Sequence, residues 1–107
     1  MYYRLKKQAD FQKIFGKGKR AFSPSLTMLY RPSATSYFGI SVGKKHGKAV
    51  VRNRVKRLLR EAFRAVYPEI KGTYSIVLVP KPREDKKEYD YHTFEKHLKG
   101  IIKKEKL

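Results

Sequence analysis

The chain has 107 residues with no cysteine, no tryptophan and only nine acidic side chains against 27 lysines and arginines. Without cysteine there can be no disulfide and no thiolate metal site, which fits a reducing compartment. No apolar run approaches the roughly 20 residues of a membrane-spanning helix. The start, Met1-Tyr2-Tyr3-Arg4-Leu5-Lys6-Lys7, lacks the apolar core of a signal peptide. The expectation is a cytoplasmic protein without a membrane partner. The shortage of acids excludes more. A protein nuclease needs a carboxylate cluster for metal ions, or a general acid and base within reach of each other. The acids here are Asp10, Glu61, Glu69, Glu84, Asp85, Glu88, Asp90, Glu95 and Glu105. None falls in a strand-like segment, and the densest group sits in a lysine-rich loop where ion pairing explains it. His92 and His97 are five apart, the wrong spacing for one helical face, and His46 reads as a solvent-exposed loop histidine. No glycine-rich phosphate loop and no small-molecule site is apparent. The chain alone is expected to hold no catalytic residue and no metal.

What the chain does have is positive charge, +18 in formal terms. Such an excess opposes compaction and draws the protein toward a polyanion. It runs through the whole length, so residues 1–107 read as a single polyanion-binding domain, which the resemblance given below makes an RNA-binding domain, rather than a neutral domain with a basic tail. Nine of the 27 basic residues fall between Lys44 and Arg64, where Glu61 is the only acid. Val51, Val55, Leu58, Leu59, Ala62, Phe63 and Val66 recur there at i, i+3, i+4 spacing, which predicts an amphipathic helix. Gly47 serves the turn into it, and Pro68 closes it because proline cannot continue the ladder. At about 100° per residue, Arg52, Lys56, Arg57, Arg60 and Arg64 form a stripe beside the apolar face, with Asn53 among them. Arg54 falls on the other flank, near Glu61. Like charges at i, i+4 repel by a few tenths of a kcal/mol per pair, so an unbroken stripe requires an anion. It reads as a phosphate-binding surface.

Taken in order, residues 5–16 predict a first helix, with Phe11 and Phe15 on one face and Gly16 and Gly18 ending it. Lys17 to Arg20 reads as a mobile basic turn. Residues 25–31 alternate as a half-buried strand, with Leu26, Met28 and Tyr30 on one side and Thr27, Leu29 and Arg31 on the other. A second strand covers 37–42 and leads into the basic helix. A third, 74–79, is apolar enough to be central. Pro80 to Glu88 predicts a polar loop. Asp90 caps a last helix carrying Tyr91, Phe94, Leu98, Ile101 and Ile102, whose lysine-rich end from Lys103 should fray. Helix, two strands, basic helix, strand, helix is the order of an α/β or α+β sandwich, with room for an extra short strand.

The run Lys48-Ala49-Val50-Val51-Arg52-Asn53-Arg54-Val55-Lys56-Arg57-Leu58-Leu59-Arg60-Glu61-Ala62-Phe63-Arg64 resembles the RNR-motif helix of the bacterial ribonuclease P protein subunit. Asp10-Phe11 with Ile14-Phe15, Ile40-Ser41-Val42 with Lys44-Lys45, and Ile76 to Pro80 with Lys81-Pro82 extend the resemblance over nearly the whole chain. It implies an α+β fold, a two-layer α/β sandwich like domain 2 of ribosomal protein S5, with a left-handed crossover at the motif helix. It also implies a partnership with a catalytic RNA subunit that removes the 5′ leader of precursor tRNA. Mg2+ would be held by that RNA and by the substrate. Carried over by position, Arg52, Asn53, Arg54, Lys56, Arg57, Arg60 and Arg64 would bind the RNA subunit. Phe11, Phe15, Tyr30 and Lys45 would bind the leader. Aromatic platforms beside cations suit sequence-tolerant binding of single strands. The competing readings are a structural RNA-binding protein without cleavage activity and a nucleoid-type DNA binder. The second is disfavoured by the lack of a helix-turn-helix pair or dimerising heptad.

Overall fold

The computed structural model describes residues 2–43, 46–82 and 90–107. Five strands form one sheet: β1 (Tyr3–Arg4), β2 (Lys19–Phe22), β3 (Leu26–Pro32), β4 (Tyr37–Ile40) and β5 (Tyr74–Pro80). Three helices accompany it: α1 (Gln8–Lys17), α2 (Ala49–Val66) and α3 (Tyr91–Glu105). The spatial order of strands is β1-β4-β5-β3-β2. β4 and β5 are parallel, joined through α2, while β3 runs antiparallel to both β5 and β2. The apolar run of β5 therefore lies at the centre, as its composition predicts. The fold is mixed α+β.

Strand alternation divides the interior in two. Leu26, Met28 and Tyr30 of β3, Phe38 of β4 and Ile76 and Leu78 of β5 pack with α2 and α3 in the main core. Leu29 and Val77 point the other way and join Leu5 and Ile14 in a smaller core under α1, flanked by Phe11, Phe15 and Val79. In α2 the predicted face is buried at Val55, Leu59, Ala62, Phe63 and Val66, while Val51, in the first turn, is 41% exposed. The ring of Phe63 stacks on Phe38 at 3.9 Å and 7°, which fixes α2 to β4.

Several local readings change. Residues 5–7 are extended rather than helical: Leu5 N–H donates to Phe38 O at 2.9 Å, continuing the line of β1. Lys19 and Arg20 are not a mobile turn but the start of β2, paired with Tyr30 and Leu29 of β3. The end of α3 does not fray. Lys106 adopts the left-handed cap conformation at φ 57°, and Leu107 folds back into the core, its carbonyl accepting from Lys71 N–H at 2.7 Å. Asp90 caps α3 as expected, accepting from His92 N–H at 3.3 Å. The predicted polar loop lies, from residue 83 to 88, outside the described residues. Among the described residues no helix is long and apolar enough to cross a membrane.

Candidate nucleic-acid interface

The interface is built outward from α2. Gly47, at φ +116°, turns the chain into the helix in a conformation that side-chain-bearing residues avoid. His46 anchors this entry, and its burial overturns the expectation of an exposed loop histidine. Its Nδ1 accepts from Gly43 N–H at 3.1 Å, which assigns the proton to Nε2, and that N–H donates to Pro80 O at 2.5 Å. The partner lies 34 residues away at the end of β5, a contact that no local pattern foretells. Lys48 provides no side-chain cap, and the first turn of α2 holds no acid.

From this helix Asn53, Arg54, Arg57, Arg60 and Arg64 are exposed, and Arg52 and Lys56 are half-buried. The Nε of Arg52 is enclosed without a hydrogen-bond partner among the described residues, a desolvated donor that the free protein leaves uncompensated. The stripe does not end at the helix. Lys56 and Arg60 share a cavity of about 130 Å³ with Arg4, Phe11 and Gly39. The motif helix thus meets α1 around the β1 edge of the sheet.

Gly39 explains how Phe11 reaches that place. A Cβ at this position would lie 2.7 Å from the Phe11 ring, so the ring rests on the bare backbone of β4. One turn on, Phe15 packs against the same small core, and Arg20 donates from Nη2 to its carbonyl at 3.2 Å. Phe11 and Phe15 are both half-buried, with ring surface left facing solvent on this flank of α1. Beyond them Phe22, 61% exposed, carries Lys81 Nζ at 5.8 Å from its ring centroid. Arg4, Gly39 and Phe22 were not among the expected site residues. Arg4 and Phe22 sit on short strands that leave no periodicity, and Gly39 is informative only once its neighbour is known.

Tyr30 does not join this group. It is 5% exposed on the opposite face of the sheet, against α3, and its hydroxyl donates to Glu105 Oε1 at 2.6 Å. The physical reason is strand parity: Tyr30 shares its face with Leu26 and Met28, and Leu29 takes the place under α1. Lys45 lies outside the described residues. Burial first, and then the hydrogen bond to Glu105, push the Tyr30 hydroxyl up to about 12 from 10.0. The folded protein holds this proton more tightly than the unfolded chain, so the contribution is full below pH 10 and lost as pH rises toward 12. In an absorbance titration of the phenolates, Tyr30→Phe should remove the latest-titrating group. An unchanged upper limb would contradict this placement.

Among the described residues no three His, Cys, Asp or Glu side chains stand together as a metal site. His97 is engaged by Ser25, Oγ to Nδ1 at 2.6 Å, and burial holds its pKa below the usual histidine range.

Comparisons with known proteins identify the family. The profile of the family described as Ribonuclease P matches residues 1–106. The chain is 41% identical over 109 residues to the ribonuclease P protein component of Dictyoglomus turgidum, covering 94% of this chain and 92% of that one. It is 37% identical over 106 residues to that of Caldanaerobacter subterraneus subsp. tengcongensis, covering 97% and 90%. Among solved structures, the RNase P protein from Thermotoga maritima superposes with a TM-score of 0.83 at 33% identity, over 94% of this chain and 96% of that one. The Staphylococcus aureus RNase P protein does so with 0.79 at 31%, over 99% and 97%.

Proposed function

The chain belongs to the ribonuclease P protein family, and we propose that it is the protein subunit of a bacterial ribonuclease P, binding the catalytic RNA through α2 and the 5′ leader of precursor tRNA through α1. One observation supports this division above others: Lys56 and Arg60 of the basic stripe and Phe11 of the aromatic pair line one cavity. A phosphate backbone held along α2 is thereby placed next to a ring on which a base can stack. Cations that track the backbone and aromatics that accept any base give affinity without sequence preference, as a leader of variable sequence demands.

The endonucleolytic cleavage is a property of the ribonucleoprotein. In this reading the Mg2+ ions are held by the RNA subunit and the substrate. Among the described residues no three His, Cys, Asp or Glu side chains stand together as a ligand set, and this reading assigns no bond-breaking step to the protein. The protein acts by holding strands. Arg52, Arg57, Arg60 and Arg64 offset phosphate repulsion between RNA subunit and substrate. Phe11 and Phe15 orient the leader and keep its first bases stacked away from the cleavage site.

Phe15→Ala tests the leader assignment. Holoenzyme carrying it should bind precursor tRNA about tenfold more weakly, since stacking is worth roughly 1–3 kcal/mol per base, while affinity for mature tRNA stays the same. Circular dichroism establishes that the variant is folded. Equal losses for both ligands, or no loss for either, would remove Phe15 from the leader site.

A further inference from the structure

Helix α1 lies across the sheet and leaves an open groove on each of its flanks. The flank with Phe11 and Phe15 is the one described above. The other is a cleft of about 540 Å³ between Asp10, Lys13 and Ile14 of α1 and the row Tyr37–Ser75–Arg31, which are register partners across β4, β5 and β3. At about 100° per residue, Asp10 and Lys13 fall on one side of the buried Ile14 of α1, and Phe11 and Phe15 fall on the other. The two grooves are therefore separate surfaces.

The second groove has its own chemistry. Arg4, Lys6, Lys7, Lys13 and Arg31 line it, and Asp10 is the one acid among its lining residues. Surface lysines alone would be an ordinary solvated face. Here Arg31 rises from within a strand, half-buried in the groove floor, beside an exposed aromatic pair. Tyr37 is 38% and Tyr3 55% exposed, their rings 6.1 Å apart and tilted by 45°. Tyr3 and Tyr37 are direct register partners, so both rings stand on this face. A soluble protein has no packing reason to leave two tyrosines on an open edge beside five cations. Ser33 and Ser75, hydrogen-bonded to each other at 3.1 Å, add polar groups to the floor.

We propose that this groove is a second binding site for single-stranded RNA, in which Arg31, Arg4 and Lys13 hold phosphates and Tyr37, with Tyr3, stacks a base. A single strand is favoured over a duplex because exposed rings add nothing to a paired helix whose bases are already stacked. Its position supports the assignment. Arg4 and Leu5 line this cleft and also the cavity shared by Lys56 and Arg60, so cations continue from the α2 stripe around the β1 edge into it. A strand leaving α2 can run on into the groove without crossing an acidic surface. The proposal rests on the ribonuclease P reading only for the source of the strand, which is either an unpaired segment of the RNA subunit or the upstream part of a long leader.

The test begins with the free protein, independent of any ribonuclease P RNA. A short oligouridylate is titrated into 15N-labelled protein and followed by NMR. Saturable shifts are expected at Lys13, Arg31, Tyr37 and Ser75, as well as along α2. The double variant Tyr37→Ala with Arg31→Gln leaves both cores intact, and it should weaken the groove's response about tenfold while the shifts around Phe15 persist. Unmoved groove resonances, or unchanged affinity in the variant, would overturn the proposal. The holoenzyme then identifies the source. A loss in RNA-subunit affinity assigns the strand to that subunit, and a loss confined to precursors with long leaders assigns it to the substrate. Unchanged affinity for both would also overturn it. Because Phe15 is on the other flank, failure of the leader test leaves this one intact, and the reverse holds equally.

Discussion

Replacing Arg57 and Arg60 together by alanine should weaken binding of the RNA subunit by about 100-fold, because a charge-assisted hydrogen bond is worth roughly 1.5 kcal/mol. Both side chains are exposed on α2, and neither contributes to the apolar face that holds the helix to the sheet. The melting temperature should therefore stay within a few degrees of the parent protein. A second readout separates phosphate binding from a general loss of charge. The slope of log K against log salt should fall by about 1.5, since each phosphate neutralised contributes roughly 0.7–0.9. Two lysines changed on the solvent face of α3, Lys96 and Lys103, should alter that slope far less. Equal changes from the two pairs would mean that binding follows net charge and that α2 has no special place in it.

Phe63→Ala should be the most damaging single substitution in the core. The ring is fully buried, stacked on Phe38 and met edge-on by Tyr2 at 5.1 Å and 82°. Aromatic-to-alanine changes at such sites cost about 3–5 kcal/mol, a large share of the roughly 5–15 kcal/mol that holds a domain together. For a domain of this size the melting temperature should fall by about 15 °C or more. The functional consequence follows from position. Phe63 joins α2 to β4 and to Tyr2 beside β1, so its loss frees the basic stripe from the aromatic flank of α1. RNA affinity should fall even at temperatures where the variant is folded. A drop of less than about 4 °C would show that α2 is held by other packing.

How far the sequence carried the fold depended on the range of the signal. The motif helix and the capped last helix are long and periodic, the central strand is a continuous apolar run, and these patterns match burial in the structure. The edge strands escaped notice because β1 has two residues and β2 four, and both are rich in charge. Their strand character comes from pairing with β4 and β3, which a local reading cannot detect. Tyr30 is different. Its alternation with Leu26 and Met28 already placed it on the apolar side, and the leader-binding role came only from carrying the family's aromatic positions over to it. The pattern was the better guide. His46 stands at the other extreme: its burial comes from a hydrogen bond to Pro80, across the connection between helix and sheet. Gly39 carries no signal at all until Phe11 is laid over it.

The same distinction applies to the interface. The stripe on α2 was legible because it lies on one helix, where rotation by about 100° per residue converts spacing into a surface. The joining of that stripe to Phe11 was not, since it requires the chain to pass from β1 through α1 and back to β4. Likewise the groove lined by Arg31 and Tyr37 gathers residues from four strands and a helix. Sites assembled from distant segments are where sequence pattern ends and packing begins.

The most direct measurement is reconstitution with a bacterial ribonuclease P RNA, following 5′-leader release from a precursor tRNA across a Mg2+ titration. If this chain is the protein subunit proposed, cleavage at low Mg2+ will require both components, and the protein will move the Mg2+ midpoint downward. The Arg57→Ala, Arg60→Ala variant, though folded, will not. Cleavage by the protein without RNA, or a midpoint that the protein leaves unchanged, would contradict that role.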